Sequence, residues 1–361
     1  MGEPSINIVF KQKGSTAITR GERGIVVLLL KDTVPATNPI IMTTTSDIPS
    51  GLSADNKKQI ELAFMGYVKP PLRVIAYVVE KDTTDYTEAQ HYLETIKWDY
   101  FVFPEIEDAN VTAFATWIKT LRETIDKKVK AILPNCAADS DGVINFTNAS
   151  NKDGTTTYTA KQYCSRIAGI IAGTPLTISA TFAKLPELKD CDHLIKTERN
   201  TAVDAGKLIL VNDGEKVKIV RAVNSLTTTT SDKGSKFKKI KIIDIMDLIH
   251  DDIKRTTSDS YIGKVPNDYD HKILLMSAID GYFDQLELSG FLDKGKSSVY
   301  IDVESQAAYL KSVGYTTDDG KTVEEMTEQQ IKEANTDEKV FIAAKAVILD
   351  SMEDIGLNIA V

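Results

Sequence analysis

The chain has 361 residues, 42% of them hydrophobic and 26% charged, with 43 Lys+Arg against 52 Asp+Glu for a net charge of −9. The length predicts two compact domains. The acidity excludes a phosphate-binding surface as the chain's main purpose, and nucleic acid with it as a partner. No stretch approaches the ~20 apolar residues of a membrane span, so direct membrane insertion is not expected.

Near the N-terminus Ile6, Asn7, Ile8, Val9 and Phe10 read as a short strand, too brief and too polar in its surroundings for a secretion signal. The residues after it, Lys11 to Thr16, are polar chain rather than a tight turn. A strand with no local partner either edges its own subunit or is donated to a neighbour.

From Gly21 to about Asn224 strand and helix alternate. Gly24 to Leu30 is a continuous apolar run. Val74–Val79, Phe101–Phe103 and Val129–Leu133 are short β-branched or aromatic runs. Between them Tyr86–Ile96 and Val111–Ile125 carry apolar residues at helical spacing, as at Phe114, Ile118, Leu121 and Ile125. This order predicts parallel strands with helical crossovers, an α/β sandwich. Tyr163–Ala172 reads as a further helix stopped at Gly173-Thr174-Pro175. Lys207–Asn212 and Glu215–Arg221 flank Asp213-Gly214, which predicts a hairpin closed by a two-residue turn.

The polar run Thr227–Ser235 has no periodicity and marks a domain boundary. Beyond it Ile242, Ile245, Met246, Ile249 and Ile253 line one helix, and Ile273, Leu274, Ile279, Tyr282, Phe283 and Leu286 a second. Asp244, Asp247, Asp251 and Lys254 fall opposite the isoleucine stripe and are expected on a solvated or subunit-contacting face. The last sixty residues predict a strand Val299–Val303, a helix Gln306–Val313, an acidic helix Val323–Asn335 and a long strand Lys339–Leu349. The chain then runs into an apolar tail, Leu357, Asn358, Ile359, Ala360 and Val361, where chain ends are normally polar.

Chemistry-bearing patterns are missing. Gly320-Lys321-Thr322 lacks the glycine a phosphate loop needs, because that position is Tyr315, and Asp318 and Asp319 would repel phosphates. Asp139-Ser140-Asp141-Gly142 resembles part of a calcium loop, yet its first and twelfth ligand positions would be Ala137 and Asn148. A turn before a strand Val143–Phe146 explains it better. His91, His193, His250 and His271 are scattered, and Cys136, Cys164 and Cys191 form no CxxC pair, which reads as reduced and mostly buried thiols. No catalytic residue, cofactor site or metal site is expected.

Several segments, in this order, resemble the contractile tail sheath family of phages and phage-tail-like bacteriocins. Gly21-Glu22-Arg23-Gly24 is similar to the family's Gly-x-Arg-Gly opening of its first domain. Ala168-Gly169-Ile170-Ile171-Ala172-Gly173-Thr174-Pro175 is similar to its helix end, and Val223-Asn224-Ser225-Leu226-Thr227 to its segment after the hairpin. Ile301-Asp302-Val303, Ile331–Thr336 and Asp350–Ile355 also resemble it. Each segment is weak alone; their collinearity over nearly the whole chain carries the resemblance.

The resemblance implies an arm (1–20), an α/β domain ending in a hairpin (21–225), a C-terminal α+β core domain (226–354) and a strand arm (355–361). It implies a structural subunit, not an enzyme, that polymerises with itself as stacked hexameric rings around an inner tail tube and contracts by rigid-body rearrangement without nucleotide hydrolysis. The arms, Ile6–Phe10 and Leu357–Val361, would add strands to a neighbour's sheet holding Val299, Tyr300, Ile301, Val303, Val340, Phe341 and Ile342, with Lys11–Arg20 and Ser351–Gly356 as hinges. Baseplate and tail terminator proteins are the other implied partners. The particle, of phage or R-type bacteriocin kind, would assemble in the bacterial cytoplasm and leave on lysis. The alternative is a cytosolic α/β enzyme or ligand-binding protein with its pocket at the C-terminal ends of Val74–Val79 and Phe101–Phe103.

Overall fold

The computed structural model describes residues 16–360. They divide into two compact units, a larger one of 21–250 with 350–360 and a smaller one of 16–20 with 251–349. The chain passes between the units after residues 20, 250 and 349.

In the larger unit the elements run β1 (Ile25–Lys31), β2 (Ile40–Met42), α1 (Ala54–Phe64), β3 (Arg73–Val79), α2 (Thr87–Thr95), β4 (Tyr100–Val102), α3 (Asp108–Glu123), β5 (Lys130–Pro134) and β6 (Val143–Phe146). There follow the short strands β7 (Asn151–Lys152) and β8 (Thr157–Tyr158), then α4 (Ala160–Ala172), β9 (Asp190–Cys191), α5 (Lys196–Asp204), β10 (Lys207–Leu208), β11 (Leu210–Asn212) and β12 (Val217–Ile219). Helix α6 (Ile240–Ser260) carries the division, between His250 and Asp251. The smaller unit then adds α7 (Tyr269–Leu288), β13 (Ser298–Ile301), α8 (Val303–Ser312), α9 (Glu328–Glu333) and β14 (Ile342–Lys345).

The main sheet has the order β10-β6-β5-β4-β1-β3-β2 and is parallel except for β2. Strand β1 pairs with β3 on one edge and β4 on the other, and helices cover both of its faces, so its apolar run is continuous. Val26, Leu28 and Leu30 face a core shared with α1 and α4; Ile25, Val27 and Leu29 face a second core with α2 and α3. The sheet with its two helical layers is the expected α/β sandwich. All three cysteines are free and buried.

Four local expectations need correction. The segment 207–212 is two strands, β10 in the main sheet and β11 in the hairpin. The hairpin closes through the four residues Asp213–Lys216: the Asp213 N–H donates to the Lys216 carbonyl at 3.2 Å, and its carboxylate accepts from the Glu215 and Lys216 amides. A side chain able to cap its own turn displaces the two-residue closure. Val303 lies on no strand but opens α8, because Asp302 accepts from the Ser305 amide and caps the helix. The acidic helix is shorter, confined to α9 after a 3₁₀ turn at Val323–Glu325.

The largest difference lies at Asp244 and Asp247. Both are buried, not solvated, because the first half of α6 is enclosed on every side. Arg122 reaches Asp247 through two nitrogens at 2.9 and 3.1 Å and Asp141 through its Nε at 3.1 Å. Lys130 pairs with both Asp247 and Asp244, the latter at 3.1 Å, and Arg23 pairs with Asp244 and contacts the Tyr100 hydroxyl. Burial opposes ionisation of Asp247, yet Lys130 and Arg122 outweigh it and hold the carboxyl below its usual range. A buried ionic cluster thus ties α6 to β4, β5, α3 and the segment just before β1.

Candidate assembly surfaces

The segments that carry the resemblance each play a structural part. Gly24 has a φ of +99°, and its amide and that of Ile25 both donate to Asp99, at 2.7 and 2.8 Å. Arg23 beside it enters the ionic cluster. On α4, a side chain at Gly169 would meet the Ala63 carbonyl at 2.1 Å, and one at Gly173 the Lys69 carbonyl at 2.0 Å. Gly169 lets α4 press against α1, and Gly173, just past the end of α4, admits the loop that follows α1. Asn224 donates to the Phe237 carbonyl at 2.7 Å, Ser225 exchanges bonds with Ser140, and Thr227 and Thr228 donate their amides to Asp139. Asp139 is therefore occupied as a backbone cap, and those bonds hold its carboxyl well below the usual range.

At the C-terminal edge of the main sheet, where the alternative reading puts a ligand, Asp32 is buried. It accepts from the amides of Thr33 and Ser53 and from the Asn56 side chain, at 2.9, 2.7 and 2.9 Å. Its oxygens are committed to holding the start of α1.

In the smaller unit β13 and β14 form an antiparallel sheet of two strands, with Val299 opposite Ala344, Tyr300 opposite Ala343 and Ile301 opposite Ile342. Phe341 precedes β14 and extends the ladder by one bond, its carbonyl accepting from the Asp302 amide at 3.0 Å; Val340 lies just outside. Among the described residues no third strand joins this sheet, so main-chain donors and acceptors line both outer edges. One face, Val299, Ile301 and Ile342, is turned inward, while Tyr300 on the other is exposed.

The expected donor Ile6–Phe10 and the terminal Val361 lie outside the described residues. Leu357, Asn358, Ile359 and Ala360 are exposed and belong to no strand. Ile355, Leu357 and Ile359 recur every second residue and are each at least three-quarters exposed. That spacing is the period of a strand with one apolar face. Of the expected hinges, residues 16–20 are held in part, since Ile18 is buried and the Thr19 carbonyl accepts from Arg255 at 2.5 Å. Residues Ser351–Asp354 are engaged by Arg221, Lys239 and Lys241, so free chain begins at Ile355. A sequence reading misses this root because its partners lie more than 100 residues away.

Comparison with known proteins gives the family. Residues 80–225 match the phage tail sheath protein central domain, and 232–361 the phage tail sheath C-terminal domain. The tail sheath protein of Clostridium phage phiCD119 is 38% identical over 99% of both chains. The anti-feeding prophage helical sheath in its contracted state shares the fold at a TM-score of 0.73, covering 100% of this chain and 99% of that one at 13% identity. The sheath tail protein from Desulfitobacterium hafniense does so at 0.70, covering 82% and 94% at 19% identity. With the full-length identity and both domain matches in hand, the chain belongs to the phage tail sheath protein family.

Proposed function

We propose that this sheath protein polymerises as stacked hexameric rings around an inner tail tube, and that it is stitched into a mesh by strand exchange. The observation that carries this is the two-stranded sheet β13–β14, to which no further strand is added among the described residues, in a chain whose residues 355–360 are an exposed run outside any strand with apolar side chains every second position. Strand addition uses main-chain hydrogen bonds that any extended segment can supply, while alternate apolar side chains choose the face. Val299, Tyr300, Ile301, Phe341 and Ile342 are the acceptors, with Val340 beside them. The donors are Leu357–Val361 and Ile6–Phe10.

Contraction in this reading is rigid-body rearrangement of subunits that stay joined through their arms. No nucleotide is hydrolysed, because an extended sheath trapped behind a kinetic barrier releases interface energy when it rotates into a more compact lattice. The tube, the baseplate and a tail terminator are the partners, and the particle assembles in the bacterial cytoplasm before lysis. We propose 21–225 and 226–354, flanked by the two arms, as the division of the sequence into domains; it is distinct from the compact units, which part within α6.

Negative-stain electron microscopy of the concentrated full-length chain, beside one lacking residues 1–12 and 356–361, tests the reading. Hollow ring-stacked tubes from the first and a folded, dispersed second chain are expected. Tubes from the truncated chain would sink strand exchange.

A further inference from the structure

We propose that Asp350, Glu353 and Asp354 form with Arg221 and Lys239 an ionic clasp that fixes where the C-terminal arm leaves the larger unit, so that these residues are positioning residues for assembly. This rests on the arm-exchange reading above and adds to it the device that aims the arm.

The charge pattern is already suggestive. Between residues 221 and 241 stand Arg221, Lys233, Lys236, Lys238, Lys239 and Lys241 with Asp232 as the sole acid, whereas Asp350-Ser351-Met352-Glu353-Asp354 holds three acids in five positions. Opposite charge blocks so far apart in sequence do not meet by local propensity.

In the folded chain the two blocks do meet. Arg221 Nη2 lies 2.7 and 2.8 Å from the two oxygens of Asp354. Lys239 pairs with Asp350 and lies 3.2 Å from Glu353. Glu353 also accepts from the Thr181 hydroxyl at 2.6 Å, and Thr181 in turn accepts from the Ala222 amide at 3.0 Å, next to Arg221. Lys241 donates to the Ser351 hydroxyl at 3.1 Å and to the Thr177 carbonyl at 3.2 Å. An isolated exposed pair contributes little. Here two cations each serve two carboxylates, and the Glu353 side chain is only 6% exposed.

Exposure changes abruptly along the tail. Glu353 is inserted while Met352 is 92% exposed and Ile355 is 83% exposed. Ordered contact thus stops at Asp354, one residue before the alternating apolar run begins. Opening the clasp would release residues 350–354 and lengthen the free arm by about 17 Å of extended chain. A donor strand with that much slack loses the fixed origin that selects its register on the acceptor.

The test uses the full-length chain with a spin label on Met352→Cys, the native thiols being buried. The variants are Arg221→Glu, Asp354→Arg, the double swap, and a chain lacking 356–361; circular dichroism and a melt confirm folding. The label is expected to be restrained in the parent and fast in either single reversal, and the double swap should restrain it again. Tube yield should fall about tenfold in the single reversals, the size of a lost paired network, and return in the double swap. If the single reversals leave the label restrained or the tubes unchanged while the truncation abolishes tubes, the clasp is wrong and arm exchange stands. If the truncated chain still forms tubes, arm exchange fails and the clasp has no arm to position.

Discussion

At Asp247 a helix residue from one part of the chain meets Arg122 of α3 and Lys130 of β5, more than 100 positions away. The period of α6 places Asp244 and Asp247 opposite its isoleucines, which reads as a solvated face. Their burial follows from partners that no local pattern displays. Such a cluster costs desolvation, but removing one member costs more, because the remaining charges stay buried. Asp247→Asn is expected to destabilise the larger unit by about 3–5 kcal/mol, measured as a shift of the urea midpoint. Acid acts on the same groups. The carboxyls of Asp247 and Asp139 lie below their usual range when folded, so their contribution is complete above about pH 4 and is lost as pH falls through the lowered values. Asp99, which burial raises, works the other way and offsets part of the loss. Urea midpoints are expected to stay flat in the neutral range and to drop below about pH 4; a midpoint that rises on acidification would show Asp99 dominating.

The contact of α1 with α4 depends on Gly169, a position without a side chain. Gly169→Val forces its new atoms onto the Ala63 carbonyl and is expected to cost about 1–3 kcal/mol or more, visible as a lower melting temperature. At the tail the expectation reverses. Leu357→Pro or Ile359→Pro touches exposed chain, so the melting temperature should hold, yet a donor strand that lacks an N–H cannot complete a ladder and tube formation should be lost. Strands β1, β3, β4 and β5 are legible in the sequence because burial on both faces leaves continuous β-branched or aromatic runs. Strand β13 reads two residues too long, since Val303 has the residue type of a strand but sits behind Asp302, whose carboxylate starts a helix. The long strand expected at Lys339–Leu349 shrinks to Ile342–Lys345 beside Ser298–Ile301, and past it the segment keeps only an isolated bridge, Leu292 opposite Ile348. Strands β13 and β14 are thus legible in position, and their ends only in part. The root of the arm is not legible, although its acids and the lysine-rich stretch it meets both stand in the sequence.

Across the whole chain, collinear short segments locate the family where no single segment could, and each has its own physical role, from a left-handed glycine and a close helix contact to a buried turn, a helix cap and an ionic root. The division into two units makes a further expectation. Both tryptophans, Trp98 and Trp117, belong to the larger unit, whereas the smaller unit holds a sparser core around Leu310, Val323, Met326 and Ile331. In urea, helical circular dichroism is expected to begin falling before tryptophan fluorescence changes; coincident curves would mean the units unfold as one. The interleaved order of the units also matters while the protein is being made. Residues 16–20 leave the ribosome before the main sheet but belong with 251–349, roughly 230 residues later, a wait of about 12–46 s at ordinary rates of synthesis. The larger unit likewise receives residues 350–354 only after the smaller unit's 251–349 have been translated. A nascent chain can therefore complete its main sheet well before Ile342–Lys345 arrives to pair with Ser298–Ile301, and before residues 350–354 reach their partners in the larger unit.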